Sequence, residues 1–132
     1  MKRLLLICMM MLSVIAIHAQ RARQGFLSTG QNVNVRTGPG KNYPVAKEDF
    51  SDEKCQLDKG QLVTYLGKRQ NGFCYVEVSS MIYEYHCKGW VSAQYLKPVK
   101  LCPACNGEGY TDIEGFDVGK KCKRCKTLGY LK

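Results

Sequence analysis

Gly60-Gln-Leu-Val-Thr-Tyr-Leu-Gly67, followed after three residues by Asn71-Gly72-Phe73-Cys-Tyr-Val-Glu-Val78, decides the fold class. Both runs are rich in Val, Leu, Tyr and Phe, side chains that pack well on a pleated, half-buried surface. Between them, Asn71-Gly72 is a tight hairpin signal, because the favoured two-residue turn needs positive φ at both positions. Working outward, Asn32-Val-Asn-Val-Arg36 alternates polar and apolar with the period of a half-buried strand. It runs into Thr37-Gly-Pro-Gly40, where Pro39 fixes its own φ and the glycines accept positive φ. Met81 to Cys87 and Gly89-Trp-Val-Ser-Ala-Gln-Tyr-Leu96 complete the strand candidates. No stretch beyond residue 19 carries an amphipathic helix period, so the chain reads as all-β. The expected core is Val33, Val35, Leu62, Val63, Leu66, Val76, Val78, Trp90, Val91 and Leu96.

The N-terminus has a different character. Met1-Lys2-Arg3 precedes an apolar run from Leu4 to Ile17 and then His18-Ala19-Gln20, the order of regions found in a secretory signal peptide. The run is short for a membrane-spanning helix, so cleavage after Ala19 leaves no stable membrane anchor. Residues 20–27 are polar and basic and read as a flexible lead-in. Losing Lys2 and Arg3 takes the formal charge from +9 to +7. An exported basic protein is drawn to anionic surfaces of the cell envelope, and export argues against nucleic acid as the partner. The expected location is periplasmic or extracellular.

The tail holds the most specific pattern. Cys102-Pro-Ala-Cys105 and Cys122-Lys-Arg-Cys125 are two CxxC pairs with sixteen residues between them, inside the window for a zinc site. Four thiolates fill the tetrahedral shell of one structural Zn2+ and leave no open position. The competing expectation is oxidation of these thiols after export, which would make the tail an exported thiol-redox or holdase-like factor. Cys55, Cys74 and Cys87 remain. A disulfide between Cys74 and Cys87, on strands expected to be neighbours, is one pairing; Cys55 with either partner is another.

Two family resemblances follow from quoted motifs. Cys102-Pro-Ala-Cys105-Asn-Gly-Glu-Gly109 resembles the CxxCxGxG zinc repeat of DnaJ-type chaperones, and Cys122 to Gly129 resembles a second copy with Thr127 in place of the first glycine. Those proteins use four repeats and two zinc ions; two repeats here imply one zinc hairpin, and no His-Pro-Asp motif for co-chaperone activity occurs. Asn34-Val-Arg36-Thr-Gly-Pro39, Tyr43-Pro-Val45, Lys59-Gly60 and Gly89-Trp90-Val-Ser-Ala-Gln-Tyr-Leu96 resemble the bacterial SH3-like domain, SH3b. Phe73-Cys74-Tyr75-Val76 departs from the Trp-Tyr-x-Val common in that family, and Lys47 to Asp58 is longer than its usual turn, implying a surface insertion.

Together these readings give an all-β chain, a small SH3-like barrel followed by a zinc-knuckle β-hairpin. Its layout is signal peptide 1–19, lead-in 20–27, barrel 28–97 and CxxC/CxxC hairpin 98–132. The SH3b resemblance implies attachment to cell-wall peptidoglycan or to an envelope protein or peptide. Tyr43, Phe73, Tyr75, Trp90 and Tyr95 are the candidate ligand-binding aromatics, and Tyr85 is a further aromatic of the same kind; Tyr110 and Phe116 are candidates for contact with an extended polypeptide. No catalytic residues are expected. His86 is the only histidine outside the leader, and its neighbour Cys87 should point to the opposite face of a strand.

Overall fold

The computed structural model describes residues 23–49, 51–80, 85–112, 114 and 119–132. The expected signal peptide, Met81 to Glu84 of the fourth strand candidate and Phe116 lie outside these residues. The elements are β1 (Gln24–Ser28), β2 (Val33–Asn34), β3 (Gln56–Leu57), β4 (Leu62–Gln70), β5 (Phe73–Ser80), β6 (Tyr85–Ser92), β7 (Leu96–Leu101), β8 (Tyr110–Thr111), β9 (Lys120–Lys121) and β10 (Tyr130–Leu131). A single 3-10 turn, Ala93–Tyr95, joins β6 to β7. The all-β expectation is met. Among the described residues no helix is long and apolar enough to cross a membrane.

Six strands form one sheet in the order β10-β7-β1-β4-β5-β6, and two-stranded sheets pair β2 with β3 and β8 with β9. The β4–β5 hairpin turns at Asn71 (φ 52°) and Gly72 (φ 75°), the two left-handed positions that the Asn-Gly pair implied. On β5 and β6, Cys74, Val76, Val78, Cys87 and Val91 face the core, as period-two alternation requires. Arg36 extends the pairing beyond β6: its N–H donates to the Trp90 carbonyl, and the Trp90 N–H donates back, each at 2.8 Å.

Three expectations are corrected. The lead-in is no loose segment in its described part, because β1 lies between β4 and β7, with Phe26 opposite both Val63 and Pro98. Phe26 is buried and meets Tyr65 edge-on at 5.3 Å. The basic residues before it hid this strand, since backbone pairing on two sides leaves no periodic signature in so short a run. Second, β7 runs straight through the expected boundary at residues 97 and 98. The Leu101 N–H donates to the Arg23 carbonyl on the β1 side, so by alternation Pro98, which has no N–H, presents its nitrogen to the other edge. That edge is paired with β10 only at Lys100 and Leu101, a position where proline costs no ladder bond. Third, Lys47 to Asp58 is more than a surface insertion. Cys55 and Leu57 at its end are fully buried.

The core gathers Phe26, Val33, Val35, Ala46, Cys55, Leu57, Val63, Cys74, Val76, Val78, Cys87, Val91 and Leu96. Trp90, Leu62 and Leu66 of the expected core are only half-buried. Trp90 alternates with Val91 and therefore faces outward. Leu62 is instead a joint to the tail, its Cδ2 lying against Gly129. Leu101 does the same from the other side, packed against Gly25 and Gly107. The expected outcome of Leu57→Ala is a loss of about 2–5 kcal/mol in denaturant unfolding, the range for truncating a buried leucine. Asp52→Ala, at the exposed tip of the same segment, leaves the unfolding midpoint where it was.

Candidate functional site

Each tail knuckle is built by the same backbone steps. In the first, the Gly107 N–H donates to the Cys102 carbonyl (3.3 Å), the Glu108 N–H to the Cys105 carbonyl (3.0 Å) and the Gly109 N–H to the Cys105 sulfur (3.2 Å). Twenty residues on, Thr127, Leu128 and Gly129 repeat these bonds to Cys122, Cys125 and the Cys125 sulfur at 3.3, 3.1 and 3.3 Å. The knuckles then hold each other: the Cys102 N–H donates to the Gly129 carbonyl (2.8 Å) and the Cys122 N–H to the Gly109 carbonyl (2.9 Å). Tyr130 pairs with Leu101, and Tyr110 pairs with Lys121. The result is a pseudo-two-fold arrangement of two interlocked turns.

Only glycine fits at the crossing points. A Cβ on Gly109 would stand 2.5 Å from the Thr127 carbonyl oxygen, and one on Gly129 would stand 2.3 Å from that of Gly107. The imperfect repeat is visible in the backbone: Thr127 takes φ 68° where Gly107 takes 85°. A β-branched residue in the left-handed region is strained.

This frame brings Cys102, Cys105, Cys122 and Cys125 together, all four sulfurs within 4.8 Å of one another. Cys102 and Cys122 are 3.9 Å apart and Cys105 and Cys125 3.6 Å. Four thiolates each about 2.3 Å from one tetrahedral ion stand about 3.8 Å apart, so the donor set fits a metal ion in number, softness and spacing. The cysteines are between 0% and 6% exposed, and no histidine or carboxylate joins them among the described residues. Burial pushes the Cys105 thiol up to about 12 and raises Cys125, whereas the Cys125 backbone N–H aimed at Cys122 brings that thiol down to about 7. A cation in the centre would displace the remaining thiol protons, which couples its affinity to pH. The cluster can hold a metal ion and is compatible with zinc.

The aromatic candidates divide. Phe73 and Tyr95 line a groove of about 250 Å³ together with Val33, Arg36 and Lys41. Tyr75 and Trp90 sit opposite each other one same-face rung further along β5 and β6, with ring centroids 5.2 Å apart and Lys68 Nζ 5.6 Å from the Tyr75 centroid. Tyr43 is outside the groove wall; its ring lies on Gly38, and its carbonyl accepts from Arg36 Nη1 at 3.0 Å. Among the described residues Tyr43 and Tyr95 are exposed large hydrophobic side chains, at 47% and 42%.

The candidate Cys74–Cys87 disulfide is overturned by the strand register. Cys74 lies opposite Val91 and Cys87 opposite Val78, four rungs apart along β5, or roughly 13 Å at about 3.3 Å per residue. No disulfide reaches that far. His86 and Cys87 face opposite sides of β6, as expected. Sequence reasoning did not find the partners of His86: its Nδ1 contacts Asp49 Oδ2 and its Nε2 lies 3.1 Å from Glu77 Oε1. The hydrogen bond to Asp49 is the main cause of its raised pKa. A contact across 37 residues leaves no local pattern to read. Lys41 was also missed, for it sits in a turn with no partner visible in sequence.

Comparison with protein-family models, with curated proteins and with solved structures finds no match.

Relieving the strained position in the second knuckle should stabilise it. Thr127→Gly is expected to raise resistance to denaturant by about 1 kcal/mol, from the cost of a side chain in the left-handed region less the added freedom of glycine when unfolded. The check is the unfolding midpoint of the metal-loaded protein.

Proposed function

We propose that this chain is an exported, non-catalytic binding module in which an SH3-like barrel engages peptidoglycan or an envelope protein or peptide. One structural Zn2+ would be held by Cys102, Cys105, Cys122 and Cys125. The observation that carries the binding role is the lining of the Phe73–Tyr95 groove. Beside its two aromatic rings stand Arg36, Lys41, Gln31, Asn32, Asn34, Gln94 and Ser92, with no carboxylate among them; the Gln31 carboxamide and Asn34 Oδ1 are held by neighbours, which leaves Asn32 and Gln94 to offer theirs. Aromatic area supplies affinity and the convergent polar groups fix orientation. Amide donors and acceptors match a peptide backbone, and two cations suit a ligand that carries carboxylates. Tyr75 and Trp90 extend the aromatic face beyond the groove, giving length for an elongated ligand.

Charge supports an envelope partner. From Gly119 to Lys132 the second knuckle carries Lys120, Lys121, Lys123, Arg124, Lys126 and Lys132 and no acidic residue, and all six are exposed. The first knuckle, from Leu101 to Asp112, carries no basic residue at all. Such a one-sided basic surface speeds encounter with anionic polymers. Zinc is favoured because soft thiolate donors in a closed four-ligand shell select it and exclude substrate water. The burial of all four sulfurs favours this structural role over thiol-disulfide exchange, which needs an accessible thiolate.

Sedimentation of the metal-loaded mature chain with purified sacculi tests the reading. The expected result is enrichment in the pellet over a charge-matched control protein, cut about tenfold by Tyr95→Ala combined with Lys41→Glu, the scale of losing an interface anchor. Sedimentation equal to the control would remove the wall-binding role.

A further inference from the structure

Cys55 and Cys87 are buried side chains that neither the groove nor the tail cluster uses. Cys87 faces the core from β6, two residues before Gly89. Val35 lies directly over Gly89, where a Cβ would meet Val35 Cγ1 and the Arg36 carbonyl oxygen, each at 2.6 Å. The Val35 N–H in turn donates to the Cys55 carbonyl at 3.1 Å, the Cys55 N–H to the Ala46 carbonyl at 2.8 Å and the Ala46 N–H to the Val35 carbonyl at 2.7 Å. This closed ring of three hydrogen bonds fixes Cys55 beside the chain that covers β6. Further out, the Asp49 N–H donates to the His86 carbonyl at 3.2 Å, so the segment from Ala46 to Leu57 is held against β6 next to Cys87. The hydrogen bond to the Cys55 side chain is the main cause of the raised pKa of the Cys87 thiol. The two residues are 1% and 0% exposed.

We propose that Cys55 and Cys87 are the disulfide pair of this protein, leaving Cys74 as a buried thiol. Two thiol S–H bonds break and one S–S bond forms. The two protons and two electrons pass to the disulfide of an oxidant, a dithiol-disulfide oxidase in the cell or oxidised glutathione in a tube, which is released as two thiols. An oxidising compartment is where such a bond persists. The bond would pin the segment carrying Asp49 and Leu57 to β6 and close a loop of about thirty residues, constraining the unfolded chain. The seven described cysteines would thus divide into a metal-binding four, a cross-linked two and one buried thiol.

The test is refolding of the mature chain with zinc in a buffer of reduced and oxidised glutathione, followed by alkylation in denaturant. Cleavage after Lys and Arg alone keeps Cys74 and Cys87 in one peptide, so a second cut after Glu77 and Glu84 is needed. The expected product joins Cys55–Lys59 to Tyr85–Lys88, with Cys74 alkylated. Cys74→Ala is expected to give the same link, and oxidation is expected to raise the thermal midpoint by several degrees, a rise that Cys55→Ser abolishes. A link through Cys74, or Cys55 and Cys87 both alkylated at equilibrium, would overturn the pairing. Because the oxidant is supplied, that result would bear on the pairing and not on export or wall binding.

Discussion

Four sulfur atoms within 4.8 Å of one another and almost wholly out of water set the electrostatic condition that the rest of the tail must satisfy. As thiolates they repel, and burial makes each charge expensive. As thiols they offer one another only weak hydrogen bonds. A divalent cation resolves both problems, and the amide N–H groups of Gly109 and Gly129 that point at Cys105 and Cys125 add to the stabilisation of the charged form. The interlocked turns follow from this demand. They need left-handed backbone at six positions, Asn106, Gly107, Gly109, Lys126, Thr127 and Gly129, and the closed cluster together with the hydrogen bonds within and between the knuckles over-determines a conformation so unfavourable for Lys126 and Thr127.

What the cluster organises extends beyond the tail. β10 reaches the edge of the six-stranded sheet only because the second knuckle returns the chain to β7, pairing Tyr130 with Leu101. Leu101 and Leu62 pack against both bodies, so the cysteine-bearing turns and the sheet share a boundary and not a linker. In a domain of this size, where a valine-rich core gives modest stabilisation, a metal or disulfide often supplements packing. The proposed zinc and the proposed Cys55–Cys87 bond would act at opposite ends of the sheet order, one beside β10 and the other beside β6.

How much of this the sequence disclosed depends on the range of the interaction. The Asn71-Gly72 turn, the alternation in β5 and the two CxxC pairs are local patterns, and each appears in the structure where the residues placed it. β1 was hidden because its pairing with β4 and β7 joins residues far apart and its five residues carry no period. The pairing of cysteines depends on register, which the turn at Asn71 and Gly72 fixes for β4 and β5 only as far as the shift between Arg69 and Tyr65 and which no motif fixes for β6. Trp90 was misplaced for a simpler reason: its size suggested the core, while its parity with His86 and Lys88 puts it on the outer face beside Tyr75. Of the five aromatic candidates, Phe73 and Tyr95 converge on one groove; of the cations that give the groove its charge, Arg36 is bridged to Trp90 and Lys41 lies in a turn, a meeting that sequence alone does not disclose.

Native mass spectrometry of the chain purified from the cell that makes it, paired with alkylation before and after chelation, tests the metal centre most directly. The account predicts one zinc ion per chain, with Cys102, Cys105, Cys122 and Cys125 protected from alkylation until the ion is removed. A metal-free protein whose four tail cysteines are linked as disulfides would contradict it.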